Sequence, residues 1–413
     1  MERTISYQIT AEDAGIRVEQ FLRRKFYSRQ NLAQLKNADG STRLGGKACR
    51  LNQRLSPGDT LEVHISEDTC SERIPATDLP LFSTMPGAKR PETGYELCCP
   101  PQGGYTSIVY EDEDILVTDK PAGLPIHPSR DNYYYSLANA VMHYYRNSGG
   151  FVFRCTNRLD RDTSGLTVIA KHSVSASVLG AMQKDSGYDT VNDAGSVSSG
   201  VSRSVSSSVS GNAPACASSS VSGNAPACTS RPYMERRYLA IVCGTPSPAS
   251  GTIDAPISRK QPQETYQEHT SIERQVDFER GERAVTHYHV LETKNSCSLV
   301  SVLLGTGRTH QIRVHMAYLG HPLAGDYLYN PECRRAAVQT YLELPAALIS
   351  DYKDTPENFR ESIRIPSVSI PIGINGISRQ ALHACSLKFH HPITGELMEF
   401  HSPLPEDMRR FGF

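Results

Sequence analysis

Apolar and polar positions along this chain recur with two periods. Val18, Phe21 and Leu22 fall on one face of a helix. Ser28 is a plausible N-cap for a second helix running to about Lys36. Two short strands are predicted over 41–44 and 60–65, with Pro57-Gly58-Asp59 turning into the second. After residue 105 the strand pattern dominates. Predicted strands cover 115–118, 166–170 and 238–242, a hairpin joins 284–292 to 299–304 around Lys294-Asn295, and another joins 387–390 to 397–400 around Thr394-Gly395. Residues 310–319 read as a helix ended by Gly320 and Pro322. Many strands with few, non-alternating helices predict an α+β fold built on a largely antiparallel mixed sheet, with a small α/β unit at 1–66.

Three segments break the pattern. Residues 67–105 are rich in Pro and Gly and read as a linker. Residues 184–232 are rich in Ser, Gly and Ala, and the nonapeptide Ser208–Cys216 recurs as Ser220–Cys228. Such a composition cannot bury enough apolar area to offset its ordering entropy, so a disordered insertion inside a folded domain is expected. A second irregular insertion is expected over about 330–378. The rest, 106–413, reads as one folded domain carrying these insertions.

Composition sharpens this reading. The 413 residues suggest two or three structural units. Hydrophobic residues make up 38%, below the roughly 45–50% of globular chains, which agrees with a partly unpacked chain. The absence of a long apolar run and of an apolar leader argues against integral membrane and secreted classes, and a cytoplasmic monomer is expected. Eleven cysteines stand at irregular spacing without a Cys-x-x-Cys pair, as in a reducing compartment, and no metal or cofactor is expected. The net charge is −1, but residues 1–66 hold 11 Lys+Arg against 7 Asp+Glu, a local +4 that has the sign required by a phosphate backbone. Arg23, Arg24, Lys25 and Arg29 cluster there as candidate contacts to such a backbone.

Candidate chemistry lies in four stretches. Asn157-Arg158-Leu159-Asp160-Arg161-Asp162-Thr163-Ser164-Gly165-Leu166 is a polar loop before a buried strand; its Asp160, flanked by arginines, is a candidate nucleophile or base. Gly305-Thr306-Gly307-Arg308-Thr309-His310-Gln311-Ile312-Arg313-Val314-His315 loads a helix start with donors, as anion sites do, without matching a Rossmann or Walker pattern. Arg236-Arg237-Tyr238 opens a strand with an aromatic beside cations, which suits stacking on a base. Asp119-Lys120-Pro121-Ala122-Gly123 reads as a turn without distinctive chemistry of its own.

In this order, the four stretches resemble the RluA-type family of pseudouridine synthases, supported by Gly320-His321-Pro322-Leu323-Ala324-Gly325-Asp326 and by Ala381-Leu382-His383-Ala384. The likeness covers about 108–328 and 379–404, and the N-terminal unit resembles an S4-type RNA-binding domain. One departure is Asn157, where the family usually has His. The resemblance implies isomerisation of uridine to its C5-glycoside in structured RNA, ribosomal or transfer. It assigns Asp160 as catalytic carboxylate, Arg308 as its salt-bridge partner, Tyr238 as the ring stacked on uracil, Ile312 as the opposing wall, and Arg158 as the residue filling the gap left by a flipped base. His310 and Arg313 are further candidate substrate contacts. Two alternatives stand beside it: a non-catalytic RNA-binding or ribosome-assembly protein, and a carboxylate hydrolase using Asp160 and His310.

Overall fold

The computed structural model describes residues 2–67, 74–79, 81–83, 106–129, 132–184, 233–260, 272–342 and 377–413. At the N-terminus, β1 (Glu2–Gln8), β2 (Thr42–Leu44), β3 (Lys47–Ala48) and β4 (Thr60–Ser66) form a sheet in the order β1-β4-β2-β3. Helices α1 (Val18–Arg24) and α2 (Arg29–Asn37) pack on it through Val18, Phe21, Leu22, Leu32 and Leu35. Ser28 caps α2 as expected: its hydroxyl accepts the Asn31 N–H at 3.1 Å.

The second sheet comprises β5 (Leu81–Ser83), β6 (Thr106–Glu111), β7 (Ile115–Lys120), β8 (Arg154–Cys155), β9 (Ser164–Ala170), β10 (Met234–Cys243) and β11 (Ser250–Asp254). A separate ribbon pairs β12 (Ile257–Arg259) with β13 (Arg274–Val276). The large sheet is completed by β14 (Val285–Lys294), β15 (Cys297–Leu304), β16 (Leu382–His390) and β17 (Leu397–His401). Its main path runs β11-β14-β15-β10-β16-β9-β7-β6-β5, with β17 beside β16 and β8 beside β9. All its pairings are antiparallel except β9 with β16 and β5 with β6, so the expected mixed, mostly antiparallel α+β architecture is the observed one. Both predicted hairpins form. In the first, Asn295 and Ser296 take positive φ (50° and 60°), the geometry that lets a two-residue turn follow the strand twist.

The parallel β9/β16 seam joins the two halves of the sheet, with His383 opposite Ser164 and Ala384 opposite Gly165. Gly165 has φ +114°, and a Cβ there would lie 2.3 Å from the Ala384 carbonyl. The Gly in Ser164-Gly165-Leu166 is therefore required by the close approach of two backbones.

Strand alternation sorts the core. Leu116, Ile169, Tyr238, Ala240 and Val242 face one layer, which also holds α3 (Leu137–Tyr144) through Leu137, Ala138 and Val141. Ile115, Val117, Leu166 and Val168 face the other, which holds α4 (Ser173–Lys184) through Val174, Val178 and Leu179. The apolar core of the N-terminal unit is continuous with this second layer. Arg3 Nε donates to Asp114 at 2.8 Å, and the Ser177 hydroxyl donates to the Phe26 carbonyl at 2.7 Å.

Two expectations about irregular segments are corrected. The described part of 67–105 is docked rather than free-running: Ile74, Leu79 and Leu81 pack on the core, Asn139 donates to the Pro75 carbonyl at 2.7 Å, and β5 adds a strand. The supposed irregular stretch from 330 begins as a helix, Pro331–Leu342, because Asn330 accepts the Glu332 and Cys333 N–H groups at its start. The remaining parts of 67–105 and 330–378, and residues 185–232 of the Ser-rich insertion, lie outside the described residues.

Candidate active site

A cleft of about 400 Å³ lies over the β9/β16/β10 region. Asp160, Tyr238, Arg308, Arg158, His310, Ile312 and Arg313 all line it, so the distant catalytic and substrate-binding candidates converge.

The Asp160 loop is held by its own backbone. Its carbonyl accepts the Thr163 N–H at 3.1 Å. The next carbonyl, of Arg161, accepts from Lys120 Nζ at 2.9 Å, and that of Asp162 accepts from Arg379 Nη1 at 3.1 Å. Asn157 rivets the other end: its amide donates to the Leu166 carbonyl at 3.0 Å and its oxygen accepts the Val168 N–H at 2.7 Å. The departure at 157 thus occupies a buried structural position.

Lys120 is the residue sequence reasoning undervalued. It is fully buried, and its Nζ also donates to the carbonyls of Pro121 (2.8 Å) and Leu124 (2.7 Å). Burial pushes its pKa down to about 7, with Asp162 and Asp160 pulling the other way. Three acceptors match the three N–H bonds of an ammonium, which favours the charged form. A lysine directly before Pro-Ala-Gly was the available signal.

The expected Asp160–Arg308 pair is not present. Arg308 turns away: its guanidinium pairs with Glu282 and donates from Nε to the Arg283 carbonyl at 3.1 Å. Arg313 takes the role instead, with Nη1 3.2 Å from Asp160 Oδ2. Arg308 precedes the helix in an exposed turn, whereas Arg313 stands inside α5 (Gln311–Tyr318) on its buried face. Arg313 is fixed by a bidentate pair with Asp326, at 2.7 and 2.9 Å, and lies 4.9 Å over the Tyr329 ring. Burial alone would depress its pKa; Asp326 and Asp160 outweigh that and raise it. Asp326, wholly buried, is a further residue the sequence did not assign.

His310 adopts a left-handed backbone (φ 57°) at the start of α5, Nδ1 2.8 Å from the Tyr329 hydroxyl and Nε2 3.9 Å from Asp160. Burial lowers its pKa to about 4, so it is neutral at pH 7. Tyr238, 6% exposed, and Ile312, 4% exposed, supply apolar lining. Burial raises the Tyr238 pKa, which keeps the phenol protonated. Arg158 is exposed at the rim.

Asp112, Asp114 and His391 come together away from this cleft. His391 Nδ1 accepts the backbone N–H groups of Ile393 and Thr394, at 3.3 and 3.0 Å, which leaves its proton on Nε2 facing Asp112 at 2.9 Å. With that tautomer Nε2 offers no lone pair to a metal ion.

The cleft therefore combines one preorganised carboxylate, a guanidinium anchored behind it, and an apolar slot with an aromatic side: the parts needed to hold a planar base while a carboxylate acts beside it. Comparison with known proteins specifies the chemistry. The family model for RNA pseudouridylate synthase matches residues 114–189 and 225–318, interrupted across the Ser-rich segment. The chain is 31% identical over 374 residues to an uncharacterized RNA pseudouridine synthase of Bacillus subtilis, YlyB, covering 90% of this chain and 84% of that one. It is 34% identical over 308 residues to ribosomal large subunit pseudouridine synthase D of Vibrio cholerae, covering 73% and 68%. A solved structure, human RNA pseudouridylate synthase domain containing 4, superposes with a TM-score of 0.42 at 19% identity, covering 74% and 90%. The chain belongs to the RluA-type family of RNA pseudouridine synthases.

Proposed function

We propose that this RNA pseudouridine synthase modifies uridine in ribosomal RNA, with transfer RNA as the second class to be tested, and that Asp160 is its catalytic carboxylate. The observation that carries the reading is the Asp160–Arg313 pair at 3.2 Å in a cleft walled by Tyr238 and Ile312. The ribosomal assignment draws on relatives named for the large ribosomal subunit. The reaction breaks N1–C1′, turns the uracil, joins C5 to C1′ and then removes the C5 proton, while N1 takes up a proton in place of its bond to the sugar. The base must leave its stack for this, at a cost of a few kcal/mol that is least in loops. Tyr238 and Ile312 would sandwich the extruded uracil, Asp160 would act at the nucleotide, and Arg313 would hold Asp160 in place. Arg158 at the rim would occupy the space the base vacates.

The N-terminal unit is proposed as an S4-like RNA-binding module. Arg23, Arg24, Lys25 and Arg29 are all exposed, with Arg23 paired to Glu19 at 2.7 Å and Arg24 to Asp13 at 3.7 Å. Such exposed pairs exchange readily for phosphates. Among the described residues no helix is long and apolar enough to cross a membrane, and a cytoplasmic monomer is the proposed state.

Nucleotide-resolution pseudouridine mapping on total RNA tests the reading. Cells lacking the chain should lose a site that wild-type protein restores and Asp160→Asn does not, while purified Asp160→Asn still binds the RNA fragment within a few-fold of wild type. Turnover by Asp160→Asn would remove Asp160 from the mechanism; an unchanged map with RNA still copurifying would favour a non-catalytic binding protein.

A further inference from the structure

The cleft holds a cation with no part in the isomerisation chemistry so far assigned. Arg236 stands two residues before Tyr238 on β10, so strand alternation puts both side chains on one face. Arg236 is 6% exposed and lines the cleft. Among the described residues its Nε and Nη2 have no hydrogen-bond partner. Three other arginines of the cleft are matched, Arg313 by Asp160 and Asp326, Arg308 by Glu282 and Arg161 by Asp162, while Arg158 at the rim is exposed to water. Arg237, next to Arg236 and on the opposite face, pairs with Glu235 at 2.6 Å. Burial lowers the Arg236 pKa, but a guanidinium keeps its proton near neutral pH, so the charge stands uncompensated. The guanidinium lies against the bare backbone of Gly307, where a Cβ would stand 2.7 Å from Arg236 Nη1.

An unpaired buried charge is costly unless a ligand completes it. The missing partner is an anion offering acceptor oxygens to a planar fork, and an RNA substrate carries one per nucleotide as phosphate. The two-residue step from Tyr238 to Arg236 is about 6.5–7 Å along a strand, close to the reach from a base to its own backbone phosphate. We propose that Arg236 binds a phosphate flanking the target uridine when Tyr238 stacks on its base, so that the cleft recognises a flipped nucleotide as a unit rather than a uracil alone. This rests on the assignment of Tyr238 to the uracil.

The test uses full-length protein and an RNA fragment that the wild type isomerises, so its outcome is separate from that of the functional reading. Methylphosphonate replaces the phosphate 5′ or 3′ of the target uridine, one at a time. Binding is measured on the Asp160→Asn background to prevent turnover. One substitution should weaken binding about tenfold or more. Arg236→Met should weaken binding of the all-phosphate RNA by a similar factor, and the two changes together should cost little more than either alone, as for contacting groups. Arg236→Met should also raise the urea midpoint, since it removes an uncompensated buried charge. Arg236→Lys, which keeps the charge without the fork, should retain part of the phosphate-dependent affinity. Multiplicative losses, unchanged binding by Arg236→Met, or wild-type indifference to both methylphosphonates would overturn the proposal. So would an Arg236→Met protein that is less stable but binds RNA normally, since the arginine would then be structural only.

Discussion

The arginines of the cleft and those of the N-terminal unit carry the same charge in opposite settings. Arg313 is buried, shared between two carboxylates and stacked on Tyr329, with its geometry set before substrate arrives. Arg23, Arg24, Lys25 and Arg29 lie in water. The first setting suits chemistry, because a charge fixed in advance need not reorganise during reaction. The second suits encounter, because solvated cations displace counterions from phosphates without fixing a pose. Arg308 belongs with the second group despite its sequence motif, being exposed and paired with Glu282.

The largest effect expected from breaking this contrast is Arg313→Met. It strands Asp326, which is wholly buried, and should cost about 3–5 kcal/mol in urea unfolding, with turnover reduced beyond detection. Arg308→Met, by contrast, should change stability by about 1 kcal/mol or less and leave measurable turnover. Equal losses in the two variants would abolish the distinction.

Lys120→Met comes next. It leaves three carbonyls without their donor, at about 1–3 kcal/mol for each that water cannot reach. Because one of these carbonyls belongs to Arg161, kcat should fall along with stability, and crystallography of the variant should show the Asp160 loop displaced.

Replacing Arg23, Arg24, Lys25 and Arg29 together by Gln should leave folding intact and flatten the plot of log K against log salt. Each cation that neutralises a phosphate contributes about 0.7–0.9 to the slope, so removing four such cations would reduce it by roughly 3. An unchanged slope would mean that this face does not meet RNA.

The smallest effect is on pH dependence. His310 has a folded pKa of about 4, below the ordinary 6.5, so the unfolded chain binds more protons between those values. Stability should therefore fall as pH drops from about 6.5 towards 4 and level off below. His310→Gln should remove that part of the slope in urea titrations at a series of pH values.

Periodicity located the main strands, both hairpins and the helix at 311–318, because a half-buried strand or helix must alternate in step with its own geometry. It missed the strands β1, β6 and β11 and the helices α3 and α4, as well as β3, β8 and β12, whose two or three residues carry no readable period and form only where a neighbour offers a ladder. The motifs around Asp160, Tyr238 and Ile312 were legible in the sequence because each stretch concentrates its functional groups locally.

What sequence alone determined, then, was the cast: one carboxylate loop, an aromatic strand start and a donor-rich helix start, in family order. Only tertiary structure decided the partnerships. Arg308 and Arg313 are five residues apart and chemically identical on paper, and the burial of α5 selects between them. Lys120 became important only when the Asp160 loop folded across it, and Arg236 only when the cleft closed around its guanidinium without supplying a carboxylate. Charge pairing depends on distance and dielectric, and a linear sequence records neither.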